Sequence, residues 1–370
     1  HRPDNLMRHA SGEVPSRAME IDLFCELASP PGRPQGADGL FQDLIDVARA
    51  ADRLGFGTLW LPEHHFLGDY SAASAPDILL GGRGKTTKRL KLGFGVLPLP
   101  IHDPIRIAER LATLDALSGG RIMWGVGRGV TTTELEGFGA EPSSSREIFL
   151  ENFADLQLLL ESGSFERAGA GYSLNPRPSA RLKDGWVAAV SPETFDLAAE
   201  LGLDVMTGPF KPWPMIEADL KRYRTLRPEG LTSFTMACYC GADHDAARAR
   251  AETGIVWAYR RIFEVAKGVL AKQVTGYEHY RKLGWLVPIL DKVMSLAVLE
   301  TMGLASVGDS AHVGNRLAKL QTTGLDRVSL IVGGGDLTAN EQIESLELIA
   351  REVMPALNAA PDLDAAMVPA

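Results

Sequence analysis

Glu63, His64 and His65 stand together at the end of Trp60-Leu-Pro-Glu-His-His-Phe66. Imidazole gives and takes protons near neutral pH, so this is the densest proton-handling cluster in the chain. Zinc fits it less well. Adjacent histidines point in different directions, and no third ligand stands at helical spacing. The plainer reading is a histidine pair hydrogen-bonded to backbone.

Other segments could hold a ligand. Gly93-Phe-Gly-Val-Leu-Pro-Leu-Pro-Ile-His-Asp-Pro104 has glycines that permit close backbone approach to a flat molecule, or simply a turn. His102 and Asp103 precede a helix, and Asp103 reads equally well as its cap. Gly125-Val-Gly-Arg-Gly129 is no dinucleotide fingerprint, because Val130 stands where the third glycine belongs. It leaves Arg128, whose planar fork suits an anion. Ser191-Pro-Glu-Thr194 is a strong helix start whose free N–H groups and hydroxyls could hold a phosphate, or an ordinary capped helix. Gly333-Gly-Gly-Asp336 is a rival phosphate site or a flexible turn.

The surrounding sequence alternates short apolar strands with amphipathic helices. Strands are predicted at 21–27, 58–61, 90–97, 121–125, 185–190, 203–206, 232–240 and 327–332, with helices between them. Eight such units favour a parallel sheet closed into a (β/α)₈ TIM barrel over an open doubly wound sheet. Chemistry in such a barrel belongs at the C-terminal ends of the strands, which is where all these segments lie. Arg128 and Ser191 leave neighbouring strands, so a shared phosphate is geometrically reasonable. Residues 164–178 read as a surface excursion. The interval 243–324, between strands seven and eight, exceeds one crossover helix and includes Trp285-Leu-Val-Pro-Ile-Leu290. It is expected to be an insertion over the mouth. Residues 1–18 are set apart as a polar tail. Met19 is the expected natural start, and 19–370 are read as a single domain.

Composition narrows the function classes. The chain has 370 residues, 45% apolar and 23% charged, enough for a large core. Its net charge of −9, without a basic stripe, argues against nucleic acid and anionic membrane surfaces. The three cysteines, Cys25, Cys238 and Cys240, give no disulfide framework and fit a reducing cytoplasm. Cys238 and Cys240 would face the same side of one strand as buried small hydrophobes. No apolar run approaches the roughly 20 residues of a membrane span.

The order and spacing of these motifs resemble the luciferase-like flavin monooxygenases. The resemblance runs from Met19 to about Leu226. It is carried by Gly55–Phe66, Leu97–Glu109, Leu114–Arg121, Gly125–Gly129 and Ala198–Leu203. It implies that His64 lies beside a reactive flavin and takes part in proton transfer, with His65 as its mainly structural neighbour. Gly95 and Val96 match a pair joined by a cis peptide beneath the flavin ring. Arg128, Ser191 and Thr194 match the residues that bind the flavin phosphate. In luciferase a reactive cysteine precedes that arginine, whereas Gly127 stands here. The family's histidine before proline is replaced by Asp103, with His102 one place earlier. The implied activity is oxygenation of a small apolar or carbonyl-containing substrate. Reduced FMN would react with dioxygen at C4a to form a peroxide. A separate flavin reductase would supply the electrons, and the chain would form a homodimer. Two alternatives are a deazaflavin-dependent hydride-transfer enzyme and a non-catalytic flavin-binding subunit.

Overall fold

Each short apolar run becomes a parallel strand because the chain between runs is long enough to return to the same end of the sheet. The structure, a computed structural model, describes residues 18–32, 36–129, 131–271 and 294–359. The tail, apart from residue 18, and the segment Trp285–Leu290 lie outside the described residues.

The strands are β1 (Glu20–Phe24), β2 (Thr58–Leu61), β3 (Lys91–Pro98), β4 (Ile122–Gly127), β5 (Ser164–Arg167), β6 (Ala170–Ser173), β7 (Trp186–Ala188), β8 (Asp204–Thr207), β9 (Thr232–Cys240), β10 (Ala305–Gly308) and β11 (Arg327–Ile331). The first helices are α1 (Gly36–Leu54), α2 (Pro76–Gly84), α3 (Pro104–Ser118), α4 (Thr132–Gly137), α5 (Ser145–Ser162) and α6 (Pro192–Glu200). They are followed by α7 (Trp213–Leu226), α8 (His244–Ala251) and α9 (Trp257–Ala271).

Eight strands close a parallel barrel in the order β1, β2, β3, β4, β7, β8, β9, β11 and back to β1. Two features differ from the sequence reading. The excursion at 164–178 carries the antiparallel hairpin β5–β6. The interval between β9 and β11 contains a ninth parallel strand, β10, paired with β9 from Ala237 to Cys240. At four residues, β10 is too short for its period to stand out among helices.

Helix stripes seal the outside. Leu44, Val47, Ala48 and Ala51 of α1 and Ile107, Ala108, Leu111 and Leu114 of α3 are buried. Each fully buried leucine or isoleucine contributes about 1.5–3 kcal/mol. Asp103 proves to be the cap of α3, accepting from Ile105 N at 2.8 Å and Arg106 N at 3.3 Å. Cys238 and Cys240 are buried free thiols on β9, and burial pushes Cys240 up to about 12. No helix among the described residues is long and apolar enough to cross a membrane.

Inside the barrel, Trp60, Trp186 and Met206 form a separate core, with the two indoles edge to face at 5.9 Å. A Cβ on Gly93 would fall 2.3 Å from the Trp60 ring, so the indole requires glycine on the adjoining strand. Below this layer Asp22 is fully buried. It accepts from Thr58 N at 2.9 Å, Trp60 Nε1 at 3.0 Å, and Arg327 Nε and Nη2 at 2.7 and 2.8 Å. This cluster ties β1, β2 and β11 together at the barrel floor. The layer above it is left to support a ligand site.

Candidate active site

The loops leaving the C-terminal ends of the strands enclose a cavity of about 380 Å³. Six of the seven residues expected at the site line it: His64, Gly95, Val96, Arg128, Ser191 and Thr194. His65 is not among the lining residues.

The cavity wall is shaped by β3 and β4. The Gly95–Val96 peptide is cis, and the ladder between the strands shifts register between Phe94 and Leu97. Val96 projects toward β4, which has glycines to receive it. A Cβ on Gly127 would lie 2.7 Å from Val96 Cγ2, and one on Gly125 would lie 2.9 Å from Val96 Cγ1. The glycines before Arg128 thus make room for a neighbouring side chain.

At one side of the cavity, protons are held. Glu134 Oε1 lies 3.0 Å from His64 Nδ1 and accepts from His65 N at 2.8 Å, while Oε2 accepts from Thr131 Oγ1 at 2.5 Å. Burial would keep Glu134 neutral. The hydrogen bond and charge of His64, with Thr131 and the His65 N–H, outweigh it and lower its pKa. An ionised carboxylate only accepts, so His64 Nδ1 donates to Glu134 and Nε2 is left for the cavity. Burial would strip the proton from His64. The Glu134 bond and the charges of Glu26, Glu134 and Glu63 reverse this and raise its pKa.

Glu26 faces the same ring, with Oε2 3.8 Å from His64 Nε2. Tyr70 donates to its Oε1 at 3.2 Å, and Oε2 is buried without a partner. Burial raises the Glu26 pKa, and His64 and Tyr70 offset this only in part. Behind this group, Glu63 Oε1 bonds His65 Nε2 at 2.9 Å and His102 Nε2 at 2.7 Å. Burial would raise Glu63, but these two rings hold it down at about 2. His65 also meets the Phe138 ring edge-on at 4.7 Å. His65 and His102 therefore anchor Glu63 and stiffen the loop that carries His64.

A second group of lining residues suits an anion. Arg128 follows β4, and Ser191 is the N-terminal cap residue of α6, its hydroxyl 3.1 Å from Thr194 Oγ1. Ser191, Glu193 and Thr194 at the start of α6 line the cavity, while Thr194 N donates within the turn to Ser191 O at 2.9 Å. Arg146, at the start of α5, lines the cavity as well. Lys211 is 1% exposed, pairs with Asp219 and donates to Val190 O at 2.6 Å. It pins the residue just before Ser191.

The family model described as luciferase-like monooxygenase matches residues 19–327. The chain belongs to this family. It is 28% identical to 4-hydroxyprotoasukamycin monooxygenase of Streptomyces nodosus subsp. asukaensis, over 83% of this chain and 77% of that one. It is 25% identical to limonene 1,2-monooxygenase of Rhodococcus erythropolis, over 86% and 82%. In fold it is similar to the oxygenating constituent of 3,6-diketocamphane monooxygenase from Pseudomonas putida, solved with FMN. That match has a TM-score of 0.74 and 18% identity, covering 92% of this chain and 98% of that one. An F420-dependent secondary alcohol dehydrogenase is also similar in fold, with a TM-score of 0.63 and 18% identity over 92% and 99%.

Several residues of this luciferase-like monooxygenase escaped the sequence reading. Glu134 carried a legible signal, since Thr131-Thr-Thr-Glu134 has the sequence pattern of a capping box. Thr131 does cap α4 by accepting from Glu134 N at 3.1 Å, but the Glu134 carboxylate turns to His64. Glu26 was counted as strand, although it follows the end of β1. Arg146 reads as an ordinary first-turn residue of α5. The rival glycine run serves packing. A Cβ on Gly335 would meet Thr253 O at 2.2 Å, and Gly333 and Gly334 line a separate cavity of about 50 Å³. No cluster among the described residues could hold a metal ion.

A flavin fits what remains. The mixed polar and apolar lining has an anion-binding group and a proton-holding group, and Thr207 Oγ1 and Glu26 Oε2 are buried there without partners. Buried polar atoms rarely stay unpaired.

Proposed function

We propose that this enzyme is an FMN-dependent monooxygenase that uses reduced FMN and dioxygen to oxygenate a small apolar or carbonyl-containing substrate. The observation that carries this reading is one cavity lined by Arg128, Ser191, Thr194 and His64 together. Arg128, Arg146 and the hydroxyls of Ser191 and Thr194 would hold the phosphate. Gly95 and Val96 would support the ring, and His65 would act on cofactor orientation through Glu63. When bound, reduced flavin supplies the electrons that activate dioxygen. His64, with Nδ1 fixed by Glu134, would hold or release a proton at Nε2 toward the reacting atoms. The apolar wall of Val187, Ala188, Ala189, Leu197 and Phe210 would exclude water.

A separate reductase is proposed as electron source. The chain has no nicotinamide fingerprint, and a 22% identical relative from Acinetobacter baylyi is named as the oxygenase component of a flavin-dependent monooxygenase. Ile262 and Val265 of α9 line the cavity, which supports the interval 243–324 as an insertion over the mouth of a single domain. A cytoplasmic homodimer completes the proposal.

Deazaflavin chemistry is the second reading, favoured by the F420-dependent neighbours. FMN is preferred because relatives at 25% and 28% identity over more than 80% of this chain are named monooxygenases. A non-catalytic subunit has no need for the His64–Glu134 pair. Anaerobic titration with reduced FMN, then oxygen, tests the proposal. A flavin–oxygen intermediate in the spectrum and oxygen uptake support it. Binding of reduced F420 alone would replace it with hydride transfer.

A further inference from the structure

We propose that Glu26 and His64 form a cleft that holds one proton between them and takes one hydroxyl oxygen of the substrate. The inference rests on the monooxygenase reading and assigns a binding residue and a substrate class to the same cavity. Its basis is geometric. Glu26 and His64 both line the cavity, with Glu26 Oε2 and His64 Nε2 3.8 Å apart. That is beyond a direct hydrogen bond, yet an oxygen between them could lie about 2.8 Å from each. The far ends of both groups are fixed, Glu26 Oε1 by Tyr70 and His64 Nδ1 by Glu134. Glu26 Oε2 has no other partner and is buried.

The charges around the pair set its proton count. Glu134 bonds the ring and Glu63 lies one residue before it, and both are held ionised. Tyr70 meets Glu26 from its own loop, and its phenol is held neutral by burial and by Glu26. Cys25 precedes Glu26, and burial together with Glu26 keeps its thiol protonated. With two carboxylates already ionised nearby, Glu26 ionises favourably only when His64 keeps its second proton. The pair then titrates as a unit and retains one proton through neutral pH, either on the imidazole or on the acid. Each arrangement offers one donor and one acceptor. An alcohol oxygen, which both donates and accepts, matches this pattern, whereas a carbonyl oxygen only accepts. A carboxylate would add a third negative charge beside Glu134 and Glu63.

The full chain without flavin tests the proton-sharing half. Histidine ring nitrogens are followed by NMR against pH, with the His64 signal assigned by its loss in His64→Gln. In Glu26→Gln the upper titration step seen at His64 should fall by about one pH unit or more. Thermal melts of the same sample establish that the variant is folded. A His64 titration within about 0.3 unit of wild type in the folded variant overturns the proposal. The ligand half uses enzyme loaded with oxidised FMN. Cyclohexanol should bind about tenfold or more tighter than cyclohexanone, which only accepts, and Glu26→Leu should bring the two within about twofold. Equal binding of the two by wild type overturns it as well. If the wild type takes up no FMN, the cofactor reading fails, while the titration still decides whether Glu26 and His64 share a proton.

Discussion

At the floor of the barrel, Asp22 accepts from Thr58, Trp60 and both arms of the Arg327 fork, and Arg327 also meets Glu20 at 2.7 Å. At the mouth, Glu26 leaves one carboxylate oxygen unpaired and Thr207 leaves its hydroxyl unpaired, both buried. The floor is closed to everything but itself. The mouth keeps hydrogen-bonding capacity in reserve, at a cost in stability that a ligand can recover. The same barrel thus divides stability from function along its axis. Substitutions at the two ends should fail in different assays.

The largest effect is expected at the floor. Asp22→Ala leaves the Arg327 charge buried beside an empty space, and removing one partner of a buried pair costs about 3–5 kcal/mol. Denaturant unfolding should show this loss. Whatever protein folds should bind FMN as wild type does, and a selective loss of flavin affinity would break the comparison.

Glu63 sharpens it, because it is a mouth residue built like the floor. Its pKa is held at about 2 by His102 and His65 against the opposing effect of burial. The lowered folded value contributes stability above the unfolded pKa, near 4.5, that is lost as pH falls toward 2. The full contribution is about 3 kcal/mol. Glu63→Gln should be less stable at pH 7, and its melting temperature should fall less than that of wild type between pH 4.5 and 2. Parallel melting curves for both proteins would remove Glu63 from the stabilising set.

For His64→Ala the expectation is the reverse. FMN binding should stay near wild type, since the proposed phosphate residues are Arg128, Ser191 and Thr194 and not His64. Product formation should drop roughly 10²-fold, as for loss of a positioned acid or base. Oxygen should still be consumed, with more hydrogen peroxide released per product. Unchanged turnover and coupling would take proton handling away from His64. Next in size, Arg128→Ala should weaken FMN binding more than tenfold, by loss of a charge-assisted pair worth about 1.5–3 kcal/mol. Riboflavin, which lacks the phosphate, should bind both proteins alike.

The floor-to-mouth contrast also marks what could be read from the sequence. Strands such as Thr232–Cys240 announce themselves by composition, and the predicted and observed limits of that strand coincide. His64 and Arg128 were legible because they sit in short motifs at strand ends. Glu26, and the turn of Glu134 toward His64 in place of its local helix start, were not, because they depend on a meeting across three loops. His64 Nδ1 finds an acceptor 70 positions along the chain. No local period records such a contact. The Asp22–Arg327 pair, 305 positions apart, is hidden for the same reason.

The smallest expected effect is the most direct test of reserved capacity. Thr207 lines the cavity at 2% exposure, with no partner for its hydroxyl. Valine has nearly the same shape without the polar atom. If the hydroxyl waits for a ligand, Thr207→Val should leave the flavin-free protein as stable as wild type, or more stable by up to about 1 kcal/mol. The same change should weaken FMN or substrate binding a few-fold, the worth of one neutral hydrogen bond. Denaturant unfolding without ligand and calorimetry with it read the two halves separately. A loss of more than about 1 kcal/mol in the flavin-free protein would mean that the hydroxyl is already satisfied within the fold. The mouth would then resemble the floor at this position, and only Glu26 would be left as reserved capacity.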